Sequence, residues 1–91
     1  MFAQLLAQQT GYAIEALYHH IVQPNQVPVN KTKKEFTGDF TIITFPFAKI
    51  SKKSPELTAR EIGEWLKNAL PEIESFNVIK GYLNIILKDD F

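Results

Sequence analysis

The run Gly81-Tyr82-Leu83-Asn84-Ile85-Ile86-Leu87-Lys88 narrows the choice of fold more than any other stretch. Side chains on a strand alternate faces with period two. Leu83, Ile85 and Leu87 therefore share one face, an unbroken apolar stripe that needs a core. Tyr82, Asn84, Ile86 and Lys88 share the other, where only Ile86 is apolar. A strand of this kind belongs to an antiparallel sheet covered on one side. The polar side admits two readings. Tyr82 and Asn84 either occupy a solvated face, or they work together, because a ring that stacks on a base beside an amide that pairs with a base edge is what reading an unpaired nucleotide requires.

The rest of the chain supplies the cover. Phe2, Leu5, Leu6, Ala13, Ile14, Leu17, Tyr18 and Ile21 fall at helical spacing, predicting a helix over 2–22 that Thr10-Gly11 kinks or loosens. Pro24 ends it. Val27 to Glu35 and Phe40 to Phe45 predict a hairpin over 27–45 turning at Gly38-Asp39, its first strand polar enough for an edge. Pro46 stops that ladder, and residues 47–53 read as one or two helical turns. Ser54-Pro55-Glu56 opens a helix with a hydroxyl cap, a proline at the first position and an acid at the positive dipole end. That helix, 54–70, buries Ala59, Ile62, Leu66 and Leu70, with Trp65 at the rim, and Pro71 closes it. A second hairpin over 73–88 turns at Lys80-Gly81. The order helix, hairpin, helix, hairpin predicts an α+β layer, with helices on one face of an antiparallel sheet of about four strands and the other face left for solvent or a partner.

Ninety-one residues, 45% of them apolar, make a single domain with one modest core and no interlobe cleft. No cysteine is present, which removes disulfides, thiolate metal sites and cysteine nucleophiles and fits a reducing cytoplasm. No apolar run reaches the roughly 20 residues of a membrane span, and no secretory signal follows Met1. The formal net charge of zero conceals a basic middle: residues 31–53 hold Lys31, Lys33, Lys34, Lys49, Lys52 and Lys53 against Glu35 and Asp39. A local anionic contact is one reading of that strip; lysines guarding strand edges is the other, and it is favoured for Lys31, Lys33 and Lys34.

Chemistry beyond binding finds little support. His19 and His20 diverge by about 100° on a helix and have no third ligand at metal spacing. The carboxylate pairs Glu61/Glu64 and Asp89/Asp90 are expected on an outer helix face and at a frayed end, not in a pocket. No phosphate loop, nucleophile elbow or His-acid-Ser order occurs.

With Gly38-Asp39-Phe40 opening a strand, the proline-led helix Ser54-Pro55-Glu56-Leu57-Thr58-Ala59-Arg60-Glu61-Ile62-Gly63, and the closing Gly81-Tyr82-Leu83-Asn84-Ile85, the chain resembles the N-terminal additional domain of arginyl-tRNA synthetase over about Val29 to Lys88. The resemblance implies a single domain, 1–91, of a longer arginine–tRNA ligase. The parent enzyme is class I and uses ATP and Mg, while the domain itself needs no cofactor and is no enzyme. It implies docking on the outer corner of tRNA at the D-loop, in the cytoplasm, with the remainder of the synthetase as the other partner and neither membrane nor DNA involved. The family's base-reading aromatic and its Asn or Gln two residues later fall on Tyr82 and Asn84, the carboxamide matching the N6/N7 edge of adenine. Lys80, Lys88, Lys49, Lys52 and Lys53 are the candidates for phosphate contacts. One departure stands out: many family members carry Asn after the Gly-Asp-aromatic strand, where this chain has Ile42-Ile43-Thr44. Lys49-Ile50-Ser51-Lys52-Lys53-Ser54 is also similar to the lysine-serine-lysine signature loop of class I synthetases, but that loop closes on a nucleotide-binding fold that 91 residues do not provide. A structural or protein-interaction domain, packing its open sheet face on a larger chain, is the rival reading.

Overall fold

A computed structural model describes residues 2–89. Helix α1 spans Phe2–Tyr18, strand β1 Val29–Lys31, β2 Phe40–Ile43, the short helix α2 Ala48–Ser51, α3 Pro55–Ala69, β3 Ile73–Ile79 and β4 Tyr82–Leu87. The four strands form one antiparallel sheet in the order β1-β2-β4-β3, so the two hairpins lie side by side. The α+β layer expected from the sequence is the architecture observed.

Helix α3 forms as its cap predicts. The Ser54 hydroxyl accepts from the Leu57 amide at 3.1 Å, Pro55 holds the first helical position, and Glu56 sits in the first turn. Ala59, Ile62 and Leu66 recur on one face and are buried. Gly63 lies between them because the sheet comes too close for a side chain: a Cβ there would meet the Phe76 ring at 2.7 Å and Leu83 at 2.9 Å. Leu83, Ile85 and Ile42 face α3 and α1 from the sheet and are fully buried with Leu6, Ile14, Ile62 and Leu66. Trp65 packs at the edge of this core, as its flanking position indicates.

Three boundaries differ from expectation. Helix α1 runs through Thr10-Gly11 unbroken and stops at Tyr18, where His19 takes a left-handed φ of 56° and its amide bonds back to the Glu15 carbonyl at 2.9 Å. Strand β1 is only three residues long. The stretch from Thr32 to Asp39, read from the sequence partly as strand and partly as tight turn, is an eight-residue loop. Beyond β2, Phe45–Phe47 form a 3-10 turn that buries Phe47. In the carboxylate pair Asp89/Asp90, Asp90 lies outside the described residues.

Candidate nucleic-acid interface

On the open face of the sheet, strand register lines up side chains in rows. Asn30 stands opposite Thr41, Thr41 opposite Asn84, and Asn84 opposite Asn77, a polar row crossing all four strands. The next row towards the β3–β4 turn is apolar: Ile43, Tyr82 and Ile79. Tyr82 and Asn84 thus share the face turned away from the helices, as the strand period requires.

Their surroundings differ from the expectation that both project into solvent. Tyr82 is 42% exposed, whereas Asn84 is 1% exposed. The Thr32–Asp39 loop folds across the sheet and covers the amide. Gly38, at φ 150°, lies on top of it, so close that a Cβ would stand 3.2 Å from that of Asn84 and 3.0 Å from the Thr32 hydroxyl. A buried carboxamide must find partners, and this one does. Thr41 donates to Asn84 Oδ1 at 2.6 Å, and Asn84 Nδ2 donates to Asn77 Oδ1 at 2.9 Å. Thr41 has given its only proton, so Thr32 donates to Thr41 across 2.9 Å. Asn77 Nδ2 in turn donates to the Thr37 carbonyl at 2.9 Å. The network ties both ends of the loop, Thr32 and Thr37, to the middle of the sheet. Asp39 secures the exit, its amide bonding to the Ile85 carbonyl at 2.7 Å and its carboxylate accepting from the Leu87 amide at 2.8 Å.

Tyr82 is fixed from the other side. Thr44 donates through its amide and its hydroxyl to the Gly81 carbonyl, at 2.9 and 2.7 Å, pinning the start of the 3-10 turn to the hairpin. Phe45 then lies across Gly81 and meets the Tyr82 ring nearly edge-on, with centroids 5.2 Å apart at 80°. Between loop and sheet is a cleft of about 490 Å³ lined by Lys31, Lys33, Phe36 and Tyr82, with the Thr41–Asn84 row at its floor.

The sequence-predicted lysines scatter. Lys80 occupies the β3–β4 turn at a left-handed φ of 56°, one residue removed from Tyr82. Lys88 lies at the opposite end of β4, beside Gly38 and Asp39. Lys49 belongs to α2 and Lys52 caps its C-terminal end at a left-handed φ of 62°, and α2 packs against α3 in the helical layer. Lys53 donates to Glu61 Oε2 at 2.6 Å and stands 5.9 Å from the centre of the Tyr18 ring. Glu61 therefore does not stand free on an outer helix face. It also accepts from the Tyr18 hydroxyl at 2.7 Å. The bonds from Lys53 and then Tyr18 hold its carboxyl below the ordinary range, while burial and then the bond to Glu61 push the Tyr18 phenol upward. His19 and His20 are exposed, and among the described residues no group of histidines and acids is placed to hold a metal.

Lys31 ends β1, an edge strand of the sheet, as the edge-guard reading expects, and it lines the cleft together with Lys33. Phe36, not singled out from the sequence, lines the same cleft from the loop.

A helix-backed antiparallel sheet, with a loop and a lysine- and aromatic-lined cleft on its other face, defines a small α+β domain. Comparison places it more narrowly. A family model of the arginyl tRNA synthetase N terminal domain matches residues 4–87, and the chain belongs to that family. It is 56% identical to the arginine–tRNA ligase of Bacteroides fragilis over 72 residues, which is 79% of this chain and 12% of that protein. Against the arginine–tRNA ligase of Porphyromonas gingivalis it is 43% identical over 84 residues, 92% of this chain and 14% of the relative. The chain thus spans roughly an eighth of the length of the curated relatives it matches. The fold is similar to the Thermus thermophilus arginyl-tRNA synthetase with a TM-score of 0.77 at 24% identity, covering 99% of this chain and 14% of that one.

Proposed function

We propose that this domain binds tRNA for an arginine–tRNA ligase, gripping an unpaired D-loop base at the outer corner of the molecule. The arginylation it supports is the work of an ATP-dependent class I catalytic region outside these residues. The observation that carries the reading is Tyr82, half-exposed and edge-braced by Phe45 at the mouth of a cleft bearing Lys31 and Lys33. A braced ring offers a stacking face at little entropic cost, and ammonium groups at the rim suit the adjoining phosphates. Lys80 is near enough to the ring in the chain to join them. Among the described residues, no helix is long and apolar enough to cross a membrane.

Tyr82→Ala is expected to weaken binding of a tRNA(Arg) transcript about five- to hundredfold at low salt, the range that stacking of one base supplies. Lys31→Ala with Lys33→Ala should flatten the salt dependence, each lost phosphate contact reducing the log–log slope by roughly 0.7–0.9. Fluorescence anisotropy across a salt series measures both. Unchanged affinity in Tyr82→Ala would remove the proposed site.

The rival reading, a face that packs against the rest of a larger chain, draws on the exposed Phe45 and Ile79 beside Tyr82. Amide shift mapping separates the two. A tRNA site moves residues 30–37 and 80–84 on adding tRNA but not an RNA duplex of equal length, and a protein-packing face moves for neither.

A further inference from the structure

The loop that buries Asn84 also presents Phe36, an aromatic ring 41% exposed on the wall of the cleft that Tyr82 lines. An exposed phenylalanine on a loop tip gains nothing from water, and the loop offers it no core to enter. Lys31 and Lys33 line the same cleft against one acid, Glu35, so the space beside Phe36 carries a net positive charge as well as its apolar wall. The position of that wall depends on the network described above, in which Thr32 and Thr37 at the two ends of the loop are held through Thr41, Asn84 and Asn77.

We propose that Phe36 is a second stacking surface for an unpaired RNA base facing Tyr82, and that Asn84 is a positioning residue that holds the Phe36 loop in place. The proposal rests on the tRNA reading and assigns its parts differently. Asn84 contributes to recognition without touching the base, because its carboxamide oxygen and one of its N–H groups are committed to Thr41 and Asn77 beneath the loop. Base selection then follows from the shape of the slot between two aromatic walls, with Lys31 and Lys33 taking phosphates at its rim.

The test uses the 91-residue chain with a tRNA(Arg) transcript and with the same transcript carrying an abasic site at the D-loop tip. Phe36→Ala is expected to lose about five- to hundredfold in affinity for the intact transcript and nothing further for the abasic one. Phe36→Trp should retain binding, with its fluorescence quenched on saturation by the intact transcript only. Asn77→Ala and Thr32→Val, which break the network at residues that do not line the cleft, should each reproduce the loss seen in Asn84→Ala. Combined with Asn84→Ala, neither should add to it. Far-ultraviolet circular dichroism confirms that each variant retains the fold.

The outcomes separate cleanly. If Tyr82→Ala loses affinity while Phe36→Ala binds as wild type, the second wall is wrong and the tRNA reading survives. If Asn84→Ala alone loses discrimination between the two transcripts while folded Asn77→Ala and Thr32→Val keep full affinity, Asn84 reads the base directly and the positioning role falls. If Tyr82→Ala and Phe36→Ala both bind as wild type, the tRNA reading and this proposal fail together.

Discussion

Leu83 and Asn84 are neighbours on one strand and are almost equally buried, at 0% and 1% exposure, yet they are buried by different means. Leu83 points into the layer made by α1 and α3, where aliphatic side chains exclude water without directional bonds. Asn84 points the other way, under an eight-residue loop that makes only a handful of hydrogen bonds. The first kind of cover is broad and survives small errors of alignment. The second depends on a few bonds in register, so it can be lifted at limited cost. The cover of the loop face thus rests on a few directional bonds, while the helix face keeps the sheet in one piece.

The largest expected effect tests the broad cover. Leu83→Ala or Ile85→Ala should cost about 2–5 kcal/mol in urea denaturation, the transfer loss plus a cavity beneath α3. Gly63→Ala should fall somewhat lower, about 1–3 kcal/mol, because the added methyl meets the Phe76 ring at 2.7 Å. If either core truncation cost less than about 1 kcal/mol, the two faces would not differ in the way proposed.

The loop cover comes next. Asn84→Ala strands Thr41 and Asn77 without their shared partner and should cost about 1–3 kcal/mol. The distribution of that loss sharpens the contrast more than its size. Hydrogen exchange should speed selectively in residues 32–39, since local opening needs only the loop's own bonds to break. Uniform acceleration across β3 and β4 would mean that Asn84 supports the sheet as a whole rather than its cover.

The same contrast explains what could be read from the sequence. Local rules placed α3: a capping serine, a proline and a 3.6-residue stripe all act within one element. Period two placed Leu83 and Ile85 inside and Tyr82 outside. The burial of Asn84 follows from Thr41 and Asn77 standing opposite it on two other strands, and from Gly38 adopting a backbone angle that lays the loop down on top of it. These are long-range pairings that no single segment announces. The early end of α1 is a similar case, because His19 takes a left-handed conformation usually left to glycine or asparagine. Glu61 looked like a solvated acid because its partners, Tyr18 and Lys53, come from α1 and from the segment preceding α3.

The smallest effect concerns pH, where the Asn84 network and the helical layer differ in kind. Thr32, Thr41, Asn84, Asn77 and the Thr37 carbonyl include no titratable group, so the cost of Asn84→Ala should hold constant across pH. The helical layer instead contains the Tyr18–Glu61–Lys53 cluster. Glu61 has its folded pKa depressed below the ordinary 4.5. Its contribution is therefore present above that value and is lost as pH falls through the lower, folded one. Tyr18 has its folded pKa raised above 10.0, chiefly by burial, so the unfolded phenol ionises first and stability declines as pH climbs past 10. With Lys53 and Glu61 both partly exposed, solvent screening keeps the acid-side effect to roughly 1 kcal/mol or less. Unfolding free energies of wild type, Glu61→Gln and Tyr18→Phe from pH 3 to pH 11 check both limbs. Glu61→Gln should flatten the acid limb and Tyr18→Phe the alkaline one, while the Asn84→Ala difference runs parallel to wild type throughout. A wild-type curve whose acid limb Glu61→Gln leaves unchanged would take the ionic cluster out of the stability of the helical layer.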